Sequence, residues 1–260
     1  MKNQLLILFS LFSFTYSLCQ NKNIVLPEKK MLLVKENSYT PFLATKSNKP
    51  IKTPSFYLAE TSVTNIEFLE FVKANPTWSR SKVNRLFADK NYLIHWESDF
   101  EIGEKNKNIY LSPVVNVSWF AANAYCTWKN KRLPTVAEWE IAGRAAPKNI
   151  QYTSLTEYIL SWYKKPNDPV LPNIKSTYQN TYGIYDMHGL VWEWTFNFNS
   201  YITTGDSRKT ADEEQKLFCA AGSINVTDRT DYAAFLRFGY RGALKGNYCI
   251  ANLGFRYANR

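Results

Sequence analysis

The chain has 260 residues with 32 Lys and Arg against 22 Asp and Glu, a formal charge of +10, a length that suits one large domain with an adequate core. The basic excess is scattered rather than gathered into a stripe and carries no nucleic-acid-binding motif, so nucleic acid is excluded as a partner. Aromatic residues make up 16% of the chain, with 17 Tyr and 8 Trp, a load that suits a loop-rich fold pinned by rings.

The first nineteen residues read as a targeting segment. Lys2 gives the positive start, Leu5 to Phe14 the apolar run, and Ser17-Leu18-Cys19 the small-x-small end before Gln20. A cleavable signal places the mature chain in a secreted or periplasmic compartment, and no transmembrane segment is expected after cleavage. Lipid anchoring at Cys19 is the rival reading, disfavoured because Leu18 is not small.

Residues 20–53 form a polar lead with an apolar patch at Met31 to Val34, expected either as one edge strand or as a cover over the domain that follows at 54–260. Pro54 to Glu60 alternates as a strand. Thr64-Asn-Ile-Glu67 is a capping box opening a helix that stops at Asn75-Pro76. Residues 77–110 are charged and weakly patterned, which reads as a surface insertion.

Ser118 caps the next helix, with Phe120, Ala121, Ala124, Tyr125 and Trp128 at helical spacing and Cys126 on or near its apolar face. Thr135-Val-Ala-Glu138 is a second capping box. Arg132, Glu138, Glu140 and Arg144 are expected to pair and tie two helices to their loops. Leu155 to Tyr163 reads as a short amphipathic helix, and residues 200–215 as a polar surface loop. Tyr232 to Tyr240 and Leu253 to Tyr257 read as closing strands, with Arg237 and Arg241 as buried anchors.

The densest stretch is Asn180-Thr-Tyr-Gly183-Ile-Tyr-Asp186-Met-His-Gly189-Leu-Val-Trp192-Glu193-Trp194. Gly183 and Gly189 suit turns that need φ > 0. An extended Val191–Trp194 puts Trp192 and Trp194 on one side and Glu193 on the other, Glu193 then being either a satisfied structural acid or a ligand for a cation or polar group.

This stretch resembles the signature of the formylglycine-generating-enzyme, or sulfatase-modifying-factor, family. Pro113 to Trp119 followed by Arg132 to Arg144 agrees with it, as does Asn252-Leu-Gly254-Phe255-Arg256. The resemblance implies an α+β, C-type-lectin-like fold, loop-rich, with short strands and packed helices. Related branches include accessory proteins and structural parts of envelope machinery.

In the family's aerobic oxidases two cysteines just after a Gly-Gly-Ser turn bind copper. Aligning Gly222-Ser223 on that turn puts Ile224 to Tyr232 in their place, and that run has no cysteine. Copper is therefore not expected, since nothing there replaces the soft thiolates. The iron-dependent branch needs three histidines, whereas this chain has His95 and His188, each read as a hydrogen-bonded structural residue.

Two family calcium sites are matched in part, by Asn173 and Ile174 and by Gly189, Val191 and Glu193. The loop completing the first is shortened, and Leu190 replaces an Asn in the second, so calcium binding is expected to be weak or absent. Cys219 and Cys249 both precede strands of the terminal block and are a candidate disulfide.

The expected function is a secreted or periplasmic, non-catalytic binding or accessory factor for maturation or assembly. Its groove would lie between the 224–231 loop and Trp192, with Asp228, Asp231 and Arg237 supplying charge to an envelope or secreted protein partner or a small polar ligand. The alternatives are a divergent metal-dependent oxidoreductase using Asn225, Asp228 and Asp231, and a structural subunit of an envelope assembly.

Overall fold

Four hydroxyl caps set the helical frame. In the computed structural model, which describes residues 29–42, 50–103, 109–148, 150–152, 154–166, 169–199 and 231–260, α1 runs Asn65–Ala74, α2 Trp119–Trp128 and α3 Val136–Gly143. Thr64 and Thr135 form complete capping boxes with Glu67 and Glu138, and the Ser118 hydroxyl accepts from Ala121 N. Helix α4, Leu155–Tyr163, is capped by Ser154.

The strands are short, as in an α+β fold of this kind. β1 (Met31–Val34), β4 (Phe56–Ala59) and β7 (Ala258–Asn259) form one antiparallel sheet with β4 central, and β2 (Asn37–Tyr39) and β3 (Ile51–Thr53) form a pair. The Met31–Val34 patch is thus an edge strand of the domain's own sheet, in register from Met31↔Ala59 to Val34↔Phe56. β5 (Trp192–Trp194) pairs in parallel with β6 (Leu253–Phe255), joining the signature stretch to the terminal block.

Residues 77–110 differ from expectation. Val83, Ala88, Tyr92, Leu93, Trp96, Ile102 and Ile109 are buried in the main core with Phe68, Phe71, Tyr125 and Phe255. A turn-rich segment buries its apolar groups at irregular spacing, so no helical or strand period reveals it. Asn65 anchors this segment: its Nδ2 donates to Ile109 O at 3.0 Å, and its Oδ1 accepts from Trp96 Nε1 at 2.9 Å.

The second correction is at Tyr232. The run is a helix, α5 (Tyr232–Gly242), not a strand. Asp231 caps it, its carboxylate accepting from Ala234 N at 2.9 Å, and Ala233, Ala234, Arg237 and Arg241 are buried at helical spacing. The aromatic content suggests a strand, but the cap and the 3.6-residue period decide the outcome.

Candidate functional site

The signature stretch is a clamp built from side-chain-to-backbone bonds. Gly183, Gly189 and Asp186 have φ of 85°, 90° and 57°. Asn180 Oδ1 accepts from Tyr182 N and Ile184 N, both at 3.0 Å, and Asn180 Nδ2 donates to Ala142 O at 2.9 Å. The Asp186 carboxylate accepts from Lys175 N, Thr177 N and the Thr177 hydroxyl. These bonds give every turn of the loop a partner where water is excluded.

Glu193 is a satisfied structural acid. It accepts from Arg256 Nε at 2.9 and 2.7 Å, from Trp139 Nε1 at 2.7 Å and from the Ser62 hydroxyl at 2.7 Å. Trp194 is fully buried and donates through Nε1 to Val117 O at 2.9 Å. Trp192 is half-buried and lies between two rings, Tyr240 at a centroid distance of 4.3 Å and Tyr163 at 5.1 Å. Tyr240 and Tyr163 thus already pack against the Trp192 indole, which limits the room it leaves for a ligand's ring.

Trp192 borders a cavity of about 340 Å³ between the end of α4, the Leu171–Thr177 loop, the Met187–Trp192 turn and Asn252. Trp162 sits against Gly189, where an added Cβ would lie 2.5 Å from ring carbons. Lys165 Nζ lies 3.9 Å from the centre of the Trp162 ring. Leu171, Pro172, Met187 and Val191 supply apolar wall, and Ser176 and Asn252 supply polar groups.

His188 and Tyr163 form the wall on the α4 side. His188 Nε2 lies 2.9 Å from Gly143 O, which can only accept, so Nε2 carries the proton and Nδ1 accepts from the Tyr163 hydroxyl at 2.9 Å. Burial first, and Arg237 after it, lower the His188 pKa to about 3. Burial likewise raises Tyr163 above the ordinary phenol value, with Arg237 opposing. Both groups are therefore neutral at pH 7, with their protons committed to each other and to the backbone.

Arg237 is not a groove residue. It is 1% exposed and pairs with Glu140 through Nη2 at 2.8 Å, while Arg241 Nη1 reaches the other carboxylate oxygen at 2.6 Å. Burial alone would raise the Glu140 pKa; the two guanidinium groups outweigh it and hold the carboxyl well below the usual range. Arg132 pairs with Glu138 through two bonds of 2.7 and 2.6 Å, in line with the tying role read for this group. Asp231 is a helix cap within 3.3 Å of Arg144. Asp228, Asn225 and Cys219 lie outside the described residues, so the Cys219–Cys249 pairing does too; Cys249 is buried and, among the described residues, unbridged.

In each of the two partial calcium sites the side-chain oxygen already has a hydrogen-bond partner. The Glu193 carboxylate is filled by Arg256, Trp139 and Ser62, and Asn173 Oδ1 faces the Ser112 hydroxyl at 3.3 Å. Calcium asks for six to eight oxygens free of competing cations, and the guanidinium at Glu193 already supplies the positive charge. Among the described residues no group of three or more His, Cys, Asp or Glu is placed to hold a metal. The cavity residues Trp162, Tyr163, Lys165 and His188 were not grouped by sequence reasoning. The usable signal was an aromatic pair at a predicted helix end, followed by a glycine that allows close approach.

Residues 20–260 match the model of the sulfatase-modifying factor enzyme 1-like domain. The chain belongs to this family. It is 34% identical over 161 residues to the bovine (Bos taurus) inactive Cα-formylglycine-generating enzyme 2, covering 56% of this chain and 50% of that one. It is 28% identical over 252 residues to the formylglycine-generating enzyme of Streptomyces coelicolor, covering 80% and 79%. Among solved structures, CarF superposes with a TM-score of 0.46 at 17% identity, covering 89% of this chain and 98% of CarF. The chain spans half or less of the length of several curated relatives it matches.

Proposed function

We propose that this chain is a binding or accessory member of its family, acting in a secreted or periplasmic compartment without catalysing a reaction. It takes a partner segment or a small polar ligand in the cavity beside Trp192. The observation that carries this reading is the state of the cavity wall. His188 has both ring nitrogens engaged, with Gly143 O and with the Tyr163 hydroxyl at 2.9 Å each, and burial moves both groups' pKa values away from the operating pH at which a general acid or base works best. The cysteine-free run Ile224 to Tyr232 supports the same reading, because it offers copper no thiolate. So does the resemblance to a relative described as inactive.

The mature chain, incubated with a sulfatase-type cysteine peptide, copper and oxygen, should leave the peptide mass unchanged. An aldehyde product would overturn the reading. Intact-mass analysis of the exported protein should find Gln20 as the first residue; a diacylated Cys19 would replace the soluble form by an anchored one.

A further inference from the structure

We infer that the cavity beside Trp192 receives a carboxylate carried on a small apolar body, with the carboxylate meeting Lys165 at the mouth. The inference rests on the binding reading above and gives the ligand its charge. Among the described residues that line the cavity, Lys165 is the one that carries a formal charge and none is Asp or Glu. Behind the wall Arg237 and Arg241 share the one carboxylate of Glu140, so that buried cluster keeps a positive charge in excess, which also favours an anion.

Lys165 is also held in place. Gly189 lacks the Cβ that would strike Trp162, Trp162 seats against it, and the ammonium rests 3.9 Å from that ring. A lysine already held on an aromatic ring loses less rotamer freedom when it meets an anion. The many rings suggest a cation site instead, but the geometry argues against one. Trp192 is packed between Tyr163 and Tyr240, and the Trp162 ring already carries an ammonium that would repel a second. The volume of about 340 Å³ is at the small end for ligand pockets. Leu171, Met187 and Val191 favour an apolar body there.

The test is calorimetric titration of the mature chain with four probes: N-acetylphenylalanine, its neutral amide, phenethylamine, and acetyl-Gly-Gly-Phe with a free carboxylate. The acid should bind about two- to fivefold more tightly than the amide, with the amine weakest, as expected for one partly exposed charge pair. Lys165→Met should abolish the acid-over-amide preference, while Lys164→Met should keep it. Tighter binding of the tripeptide would point to a chain terminus as the ligand, and tighter binding of the free acid to a small metabolite-like acid. Equal binding of acid and amide, or equal loss of preference in the Lys164 variant, overturns the inference and leaves the binding reading standing. Failure of all four probes to bind overturns both.

Discussion

Arg256 and Glu193 pair with both side chains wholly out of solvent, Nε lying 2.7 Å from a carboxylate oxygen. The pair joins β6 to β5, and Arg256 also donates to Ala59 O and Tyr185 O at 3.2 and 3.0 Å. Breaking a buried pair leaves one charge uncompensated, at a cost of about 3–5 kcal/mol. Arg256→Met should lose about that much in urea denaturation. The double variant Glu193→Gln with Arg256→Met should be less destabilised than Arg256→Met alone. A loss below about 1 kcal/mol in the single variant would show that the pair is not holding the two strands.

Acid should unfold the protein through His188. Its folded pKa, about 3, lies below the ordinary 6.5, so the unfolded chain takes up the proton first. Stability is then fully present above about pH 6.5 and is lost as pH falls, by about 1.4 kcal/mol per pH unit until the folded pKa is reached. His95, lowered to about 4 by burial, acts in the same direction. Glu140 adds to the loss only at lower pH, since its depressed carboxyl stabilises the fold above the ordinary carboxylate value. Thermal melts across pH 4 to 7 should show the slope, and His188→Gln should reduce it by about half. An unchanged slope in that variant would assign the acid sensitivity elsewhere.

Asp231 is a structural cap, which changes what its removal reports. Asp231→Ala should cost about 1 kcal/mol, because Ala234 N loses its acceptor and Arg144 its partner. Asp231→Ser should restore most of that stability. Equal stability of the alanine variant and the parent would mean that the cap contributes nothing.

Local chemistry made much of the fold legible. Thr64, Ser118 and Thr135 each mark a helix start with a hydroxyl and, in two cases, a glutamate three residues on, and all three act as caps. The 155–163 helix and the Leu253–Phe255 strand follow from patterns contained within a few residues. The misreadings have a common cause. Trp96 and Ile109 are buried from turns, with no period to betray them. Tyr163, Trp192 and Tyr240 form one stack from three distant segments, and their partners are chosen by packing rather than by spacing. The candidate site is likewise assembled from α4, the 171–177 loop, the signature turn and Asn252, so only its signature part was visible beforehand.

Lys29 fixes the entry to β1 to the start of α1. Its ammonium is 5% exposed, donates to Ser62 O at 2.6 Å and to Glu67 at 2.8 Å, and sits 5.9 Å from the Tyr257 ring. Burial lowers its pKa, with Glu67 opposing. The same Glu67 oxygen accepts from Thr64 N at 2.7 Å, so one carboxylate closes the capping box and holds the entry to β1. Lys29→Met removes the ammonium while keeping the stem. It should destabilise the chain by about 1–3 kcal/mol, the usual cost of losing a charged partner from a buried acceptor. It should also speed protease cleavage between residues 29 and 42, since β1 would keep its ladder to β4 but lose its anchored end. Glu67→Gln should weaken both the cap and the anchor, and so cost at least as much. Unchanged cleavage and stability in the Lys29 variant would show that the four-residue ladder to β4 holds the lead without help.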